Sequence, residues 1–279
     1  MTRRSDAISP TAHYTGHTWV RHGLSHPALS TPQGRVLHAA LRPWMAAARF
    51  AGAPTLDAFL LARHRAIDRV LDAEIAAGRI TQIIEIAAGL SPRGWDFKQR
   101  HGAALRYLEA DLPDMSARKH ARLASAGLLT AGHEVVALDA RAEHGASSLA
   151  ALAAGLDPQQ GLAIVTEGLL NYFDRDTVEG LWRRVAGTLS RFPHGLYLSD
   201  LHLSAHHRSA ATRGFVALLS TFVRGRVHLH YADAAAAGAA LRASGFEQAD
   251  LHPPQALLPG ERLLPGAGLV RVIEARCGA

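Results

Sequence analysis

Lysine and cysteine are almost missing from this chain. Of its 279 residues, two are lysine (Lys98, Lys119) and one is cysteine (Cys277). A single thiol excludes any disulfide within the chain and suits a reducing compartment. Positive charge therefore rests on arginine, which is scattered and forms no tail. A formal net charge of +6 and a pI of about 10.1 then carry no nucleic-acid signature, since no basic run is interleaved with aromatics. No apolar run reaches the length needed to span a bilayer. Met1-Thr2-Arg3-Arg4-Ser5-Asp6 is followed by no apolar core, so no secretory leader is expected. These absences predict a soluble, cytoplasmic protein with neither a nucleic-acid nor a membrane partner.

What is present is a large apolar content, 48% of residues, enough to bury a sizeable core. Residues 13–22 hold His13, His17, His22, Arg21, Tyr14 and Trp19. They read as a lid offering cations and ring faces, or as a helix packed on the domain. Residues 31–50 read as a helix opened by Thr31-Pro32 and kinked or divided by Pro43. A second helix runs from Pro54 to a cap at Gly78. From residue 80 strands and helices alternate. Strands are expected at Ile83–Ile86, Leu105–Asp111, Glu134–Asp139, Leu162–Glu167 and Leu196–Leu201. Further helices are expected at 113–126, 176–192, 209–223 and 232–244, with late strands at 246–251 and 269–275. Such alternation predicts an α/β fold, a mostly parallel sheet flanked by helices. We expect one domain, with a helical extension over 1–79 and the α/β core over 80–279.

The first strand leads into Ala87-Ala88-Gly89-Leu90-Ser91-Pro92. Small residues let backbone pass close to a ligand, and Ser-Pro is a helix start. A dinucleotide fold places G-x-G-x-x-G here, and Ala87 breaks that pattern. The other chemistry served by such a turn is S-adenosylmethionine (SAM) binding, where no phosphate is cradled. Four successive strands carry an acid near the carboxyl end: Glu85, Asp111, Asp139 and Glu167, at gaps of 26, 28 and 28 residues. Carboxyl ends of parallel strands share one edge, so these acids are expected to converge. Carboxylates there suit ribose hydroxyls, an adenine amino group or a sulfonium cation.

Ile83–Gly94, Tyr107-Leu108-Glu109-Ala110-Asp111-Leu112-Pro113, Arg118-Lys119 and Thr166-Glu167-Gly168-Leu169-Leu170-Asn171-Tyr172 together resemble the leucine carboxyl methyltransferase family. That family includes bacterial relatives linked to polyketide O-methylation. The resemblance implies a class I, Rossmann-like methyltransferase sheet, SAM as methyl donor, and transfer to a carboxylate or hydroxyl oxygen of a small-molecule acceptor. It places the arginine for the methionine carboxylate at Arg63, the loop at Ala87 to Gly89, and the ribose acid at Asp111 with Leu112 beside it. The adenine-side acid falls on Asp139, next to Ala140, and the glutamate after the fourth strand on Glu167. Where the family often has Gly-Ala-Gly and then Asp-Thr, this chain has Ala-Ala-Gly and then Ser91-Pro92-Arg93. Ser91 stands where an acid often does.

Arg63 lies on the buried stripe marked by Leu60, Ile67 and Leu71, whereas Arg65 does not. A buried guanidinium needs an anion, and the SAM carboxylate is expected to supply it in a two-toothed pair. Methyl transfer from a sulfonium is in-line displacement, so the protein's work is alignment. A carboxylate acceptor needs no base, whereas a hydroxyl needs one. Tyr172 and His202 are the residues expected beside the acceptor. His202, His206 and His207 also have helical spacing that suits zinc, which keeps a metal-dependent hydrolase as an alternative. A catalytically silent SAM-binding protein is the third reading.

Overall fold

The computed structural model describes residues 10–207 and 228–278, without the side chains of His206 and His207; the helix expected over 209–223 lies outside it. Three helices come first: α1 (Pro10–Arg21), α2 (Pro32–Phe50) and α3 (Leu56–Ala76). Thr31 starts α2 by accepting the Gly34 N–H on its hydroxyl at 3.0 Å, with Pro32 at the first helical position. Pro43 does not divide α2, contrary to expectation. Both Pro43 and Ala39, whose carbonyl it leaves without a helical donor, are exposed, so the lost hydrogen bond falls on the solvent side of the helix.

The alternating part follows as β1 (Gln82–Ile86), α4 (Arg93–His101), β2 (Arg106–Asp111), α5 (Pro113–Ser125) and β3 (His133–Ala137). Next come α6 (Leu149–Ala153), β4 (Leu162–Thr166), α7 (Arg175–Leu189) and β5 (Gly195–His202). β6 (Gln248–His252) and β7 (Val270–Cys277) close the sheet. The strand order is β3-β2-β1-β4-β5-β7-β6. β1 to β5 are parallel, and β7 lies antiparallel between β5 and β6.

β1 pairs with β2 on one side and β4 on the other, so the order reverses at β1. Crevices for ligands open at such a reversal, beyond the carboxyl ends of the strands. Alternation along β1 sends Ile84 and Ile86 to the α7 face, in one core with Trp182 and Leu181. Ile83 and Glu85 point to the other face, where α3 and α4 pack through Ile67, Leu71 and Phe97. Each of these fully buried apolar side chains contributes about 1.5–3 kcal/mol. β3 ends at Ala137, two residues short of Asp139, which therefore sits in a loop.

Candidate functional site

The turn after β1 is built from left-handed backbone. Ala87 has φ +56° and Gly89 φ +49°. Glycine adopts this region freely, while alanine stores strain there. The Ala88 N–H donates to the Ala110 carbonyl of β2 at 3.2 Å. Asp111 fixes the rest: Oδ2 accepts the Gly89 N–H and Oδ1 the Leu112 N–H, each at 2.8 Å. Burial raises the Asp111 pKa, and these two amide bonds pull against that rise. Ser91 is buried, and its hydroxyl accepts the Arg93 N–H at 3.3 Å, but the N-cap of α4 is Pro92 and not Ser91, contrary to the expected Ser-Pro start. Beneath the turn, buried Lys119 lies 3.0 Å from buried Glu109 and reaches the Ala88 carbonyl at 3.4 Å. The lysine of the Arg118-Lys119 pair is thus a support for the turn, a role the spacing gave no way to assign.

The four strand-end acids do not form one set. Glu85 shares a face with Ile83, inside the core rather than at the edge. Its oxygens are taken by Arg93 Nη1 at 2.6 Å and the Tyr107 hydroxyl at 2.9 Å. Glu167, just past β4, accepts from Arg63 Nε at 2.9 Å on one oxygen. His64 and Arg93 share the other. Against the effect of burial, His64 and Arg93 hold the Glu167 carboxyl well below its ordinary range. Arg93, 0% exposed, also binds Asp68 of α3, so one guanidinium ties α3, β1 and the loop after β4. Asp139 closes its own loop on the Arg141 N–H at 2.9 Å. The neighbouring Ala140 carbonyl accepts from Arg184 at 2.8 Å.

Arg63 is buried, as its place on the stripe predicts. Its partners are residues of the chain itself: Glu167, and Asp200 Oδ2 at 2.8 Å from Nη1. The other Asp200 oxygen accepts the N–H of Gly168. Gly168 has φ +70°, and a Cβ there would stand 2.8 Å from Arg63 Nη2. Two prongs of the fork, Nε and Nη1, are therefore engaged by the chain's own carboxylates, which the expected two-toothed pair with an external carboxylate did not include. Asp200 and His64 were missed as members of this group, although one lies two residues before the end of β5 and the other adjoins Arg63 on the buried side of α3.

α1 lies across this edge. Its Gly16 packs on Leu90, and Ala12 sits where a Cβ on Gly89 would be 3.6 Å away. Trp19 packs on His64 with ring centroids 4.9 Å apart and the rings tilted by 37°. Thr11 hydrogen-bonds the Tyr172 hydroxyl, whose pKa burial raises. The segment read as lid or packed helix is thus a helix packed over the turn. His202, the last residue of β5, is buried, with Nδ1 3.1 Å from the Leu269 carbonyl and its ring edge-on to Phe59. Among the described residues no three His, Cys, Asp or Glu side chains are grouped to hold a metal. His206 and His207, named for the zinc alternative, lie outside the described side chains.

The family model for leucine carboxyl methyltransferase matches residues 27–186, more than half of the chain. A Mycobacterium leprae protein assigned as an S-adenosyl-L-methionine-dependent methyltransferase is 38% identical over 107 residues, which are 38% of this chain and 34% of that relative. The chain thus matches about a third of that relative's length (34%). Among solved structures, a Thermobifida fusca protein assigned as a methyltransferase superposes with a TM-score of 0.65 at 16% identity, over 97% of this chain and 96% of its own. An O-methyltransferase family protein of Burkholderia thailandensis gives 0.53 at 17% identity, over 100% of this chain and 74% of its own. At such identities the likeness is one of fold. The turn, Asp111, Lys119 and Glu167 all fall inside the matched span, and the chain belongs to the leucine carboxyl methyltransferase family of SAM-dependent methyltransferases.

Proposed function

We propose that the chain methylates an oxygen, carboxylate or hydroxyl, of a small-molecule acceptor, with SAM bound at the turn after β1. The observation that carries this reading is the clamp of Asp111 on Gly89 at the point where the strand order reverses. Each Asp111 oxygen accepts one backbone N–H, and a carboxylate oxygen has room for a second donor. That donor set fits a ribose diol. Leu112, exposed beside it, offers apolar cover, and Asp139 with Ala140 lines the adenine side. Arg63 Nη2 faces the loop at Gly168 and suits the methionine carboxylate. Four carboxylates (Asp68, Glu85, Glu167, Asp200) meet two guanidiniums (Arg63, Arg93) and the His64 ring in the network behind the turn. An excess of negative charge favours a cationic ligand at that edge.

SAM supplies an electrophilic methyl group on a sulfonium. The chain's own residues align the acceptor oxygen and exclude water. α1 covers the edge, and Tyr172 stands at its rim. A tyrosine with a raised pKa keeps its proton at neutral pH, so Tyr172 donates a hydrogen bond to an acceptor and does not deprotonate it. A carboxylate acceptor needs nothing more.

The experiment is transfer from methyl-labelled SAM to a panel of carboxylic acids, phenols and alcohols, followed by mild base. A methyl ester releases labelled methanol, whereas an ether keeps its label. Saturable heat with SAM and S-adenosylhomocysteine but no transfer to any oxygen would reduce the reading to SAM binding alone.

A further inference from the structure

α2 is apolar on two faces, and one of them is exposed. Leu37, Leu41 and Met45 pack inward with Tyr14 and Leu60. At about 100° per residue, Val36, Pro43 and Phe50 fall on the opposite side, and Trp44 at its edge. They are exposed: Val36 67%, Trp44 46% and Phe50 97%. The exposed alanines 39, 40, 46 and 47 fill the same arc, which spans about 160° of the helix. Isolated exposed apolar residues need no explanation, but an arc along a helix of 19 residues, interrupted by Gln33 near its Trp44 edge, does.

Charge says what covers it. Arg35, Arg42 and Arg49 recur every seven residues and form one row along the margin of the arc. No ion pair joins any of the three among the described residues. From Ala7 to Leu56 the chain has no Asp or Glu, but it has four arginines and five histidines. A second copy of this face brings no carboxylate to meet the row. An anionic partner does.

We propose that the outer face of α2 docks on an anionic lipid surface, lying in the interface with Phe50 and Trp44 inserted and the arginine row on the headgroups. An arc of alanines offers no pocket for a partner's side chain. Its attraction comes from apolar area plus charge, which is how interfacial helices bind lipid. It departs from the expectation of no membrane partner, which rested on the lack of a spanning run; no described helix is long and apolar enough to cross a membrane.

The test is co-sedimentation of the full chain with phosphatidylcholine vesicles, with and without phosphatidylglycerol, at two salt concentrations. Expected are binding only with the anionic lipid, weakening by salt, and a blue shift of Trp44 emission that Trp44→Phe removes. Phe50→Ser should weaken binding about tenfold. Gln at 35, 42 and 49 together should weaken it on the order of a hundredfold, about fivefold for each arginine. Among the described residues no ion pair or side-chain hydrogen bond joins Arg35, Arg42 or Arg49, and Phe50 is 97% exposed, so the thermal midpoint of each variant should stay close to that of the parent. Absence of binding to anionic vesicles at low salt, or binding unaffected by Phe50→Ser, would overturn the proposal. Soluble poly-glutamate that binds as well as vesicles, regardless of Phe50, would assign the face to an acidic protein and overturn it too.

Discussion

The Gly89 N–H donates to Asp111 Oδ2 at 2.8 Å, so the carboxylate at the end of β2 holds the turn that follows β1. Asp111→Ala removes both the clamp and the acceptor offered to a ribose. SAM affinity should fall by about 1.5–3 kcal/mol, roughly 10- to 150-fold, without global unfolding. Calorimetry with SAM and circular dichroism check the two halves. Because burial raises the Asp111 pKa, and the ionised form is the acceptor, affinity should decline on acidification from above the ordinary aspartate range. Unchanged affinity in the variant would place the ribose elsewhere.

Arg63 and Arg65 sit two residues apart and should behave differently. Arg63 is buried between Glu167 and Asp200, and the exposed Arg65 lies 3.5 Å from exposed Glu261. Lysine keeps one charge but cannot serve two carboxylates and a third ligand from a planar fork. Arg63→Lys should lower both the unfolding free energy and SAM affinity, the former by about 1–3 kcal/mol. Arg65→Lys should change each by less than about 0.5 kcal/mol. Equal effects in denaturant melts and SAM titrations would contradict the geometry.

Ala87 carries the single positive φ among the described non-glycine residues. Ala87→Gly relieves about 1–2 kcal/mol of left-handed strain and loses about 0.5–1 kcal/mol to unfolded-state entropy. The expected net is a small gain in stability, read as a higher denaturant midpoint with an unchanged slope. Ala87→Val should lower the midpoint, since a β-branched residue tolerates that backbone least.

Glu74 sits at the other end of the sheet and provides an acid limb. It receives Arg79 through Nε at 2.6 Å and Nη2 at 2.9 Å, and Arg276 at 2.7 Å. The Arg79 bonds, then Arg276, overcome burial and hold its pKa at about 2, below the ordinary 4.5. A depressed carboxyl stabilises the fold above its unfolded pKa, and that contribution disappears as pH falls from about 4.5 toward about 2. Glu74→Gln should flatten the decline of the thermal midpoint across that window. An identical acid limb would show that other carboxylates set it.

Much of this fold is legible because apolar periodicity and punctuation agree. Ile83–Ile86 is β1 less one residue, Asp174 caps α7 beside its expected start, and Gly78 follows α3 with φ +70°. Side-chain direction was less legible. Glu85 and Asp111 both lie near strand ends, yet Glu85 is level with Glu109, two residues short of Asp111, so Glu85 stays within the sheet while Asp111 reaches the turn. Arg63 was readable as buried, but its partners lie 104 and 137 residues away, and local spacing carries no trace of them. Arg93 follows a turn that marks only a helix start. Its role appears when α3, β1 and the loop after β4 are brought together.

The placement of β7 has a kinetic consequence. β7 enters last of the strands yet lies between β5 and β6. Until residues 270–277 arrive, β5 keeps an open edge eight residues long and β6 has no partner at all. Nucleation can gather β1 to β4 from near neighbours in the chain, but the final insertion closes a loop of more than sixty residues behind β5. A nascent or truncated chain stopped short of β7 presents that edge to its neighbours, so such chains should aggregate during synthesis while the finished chain does not.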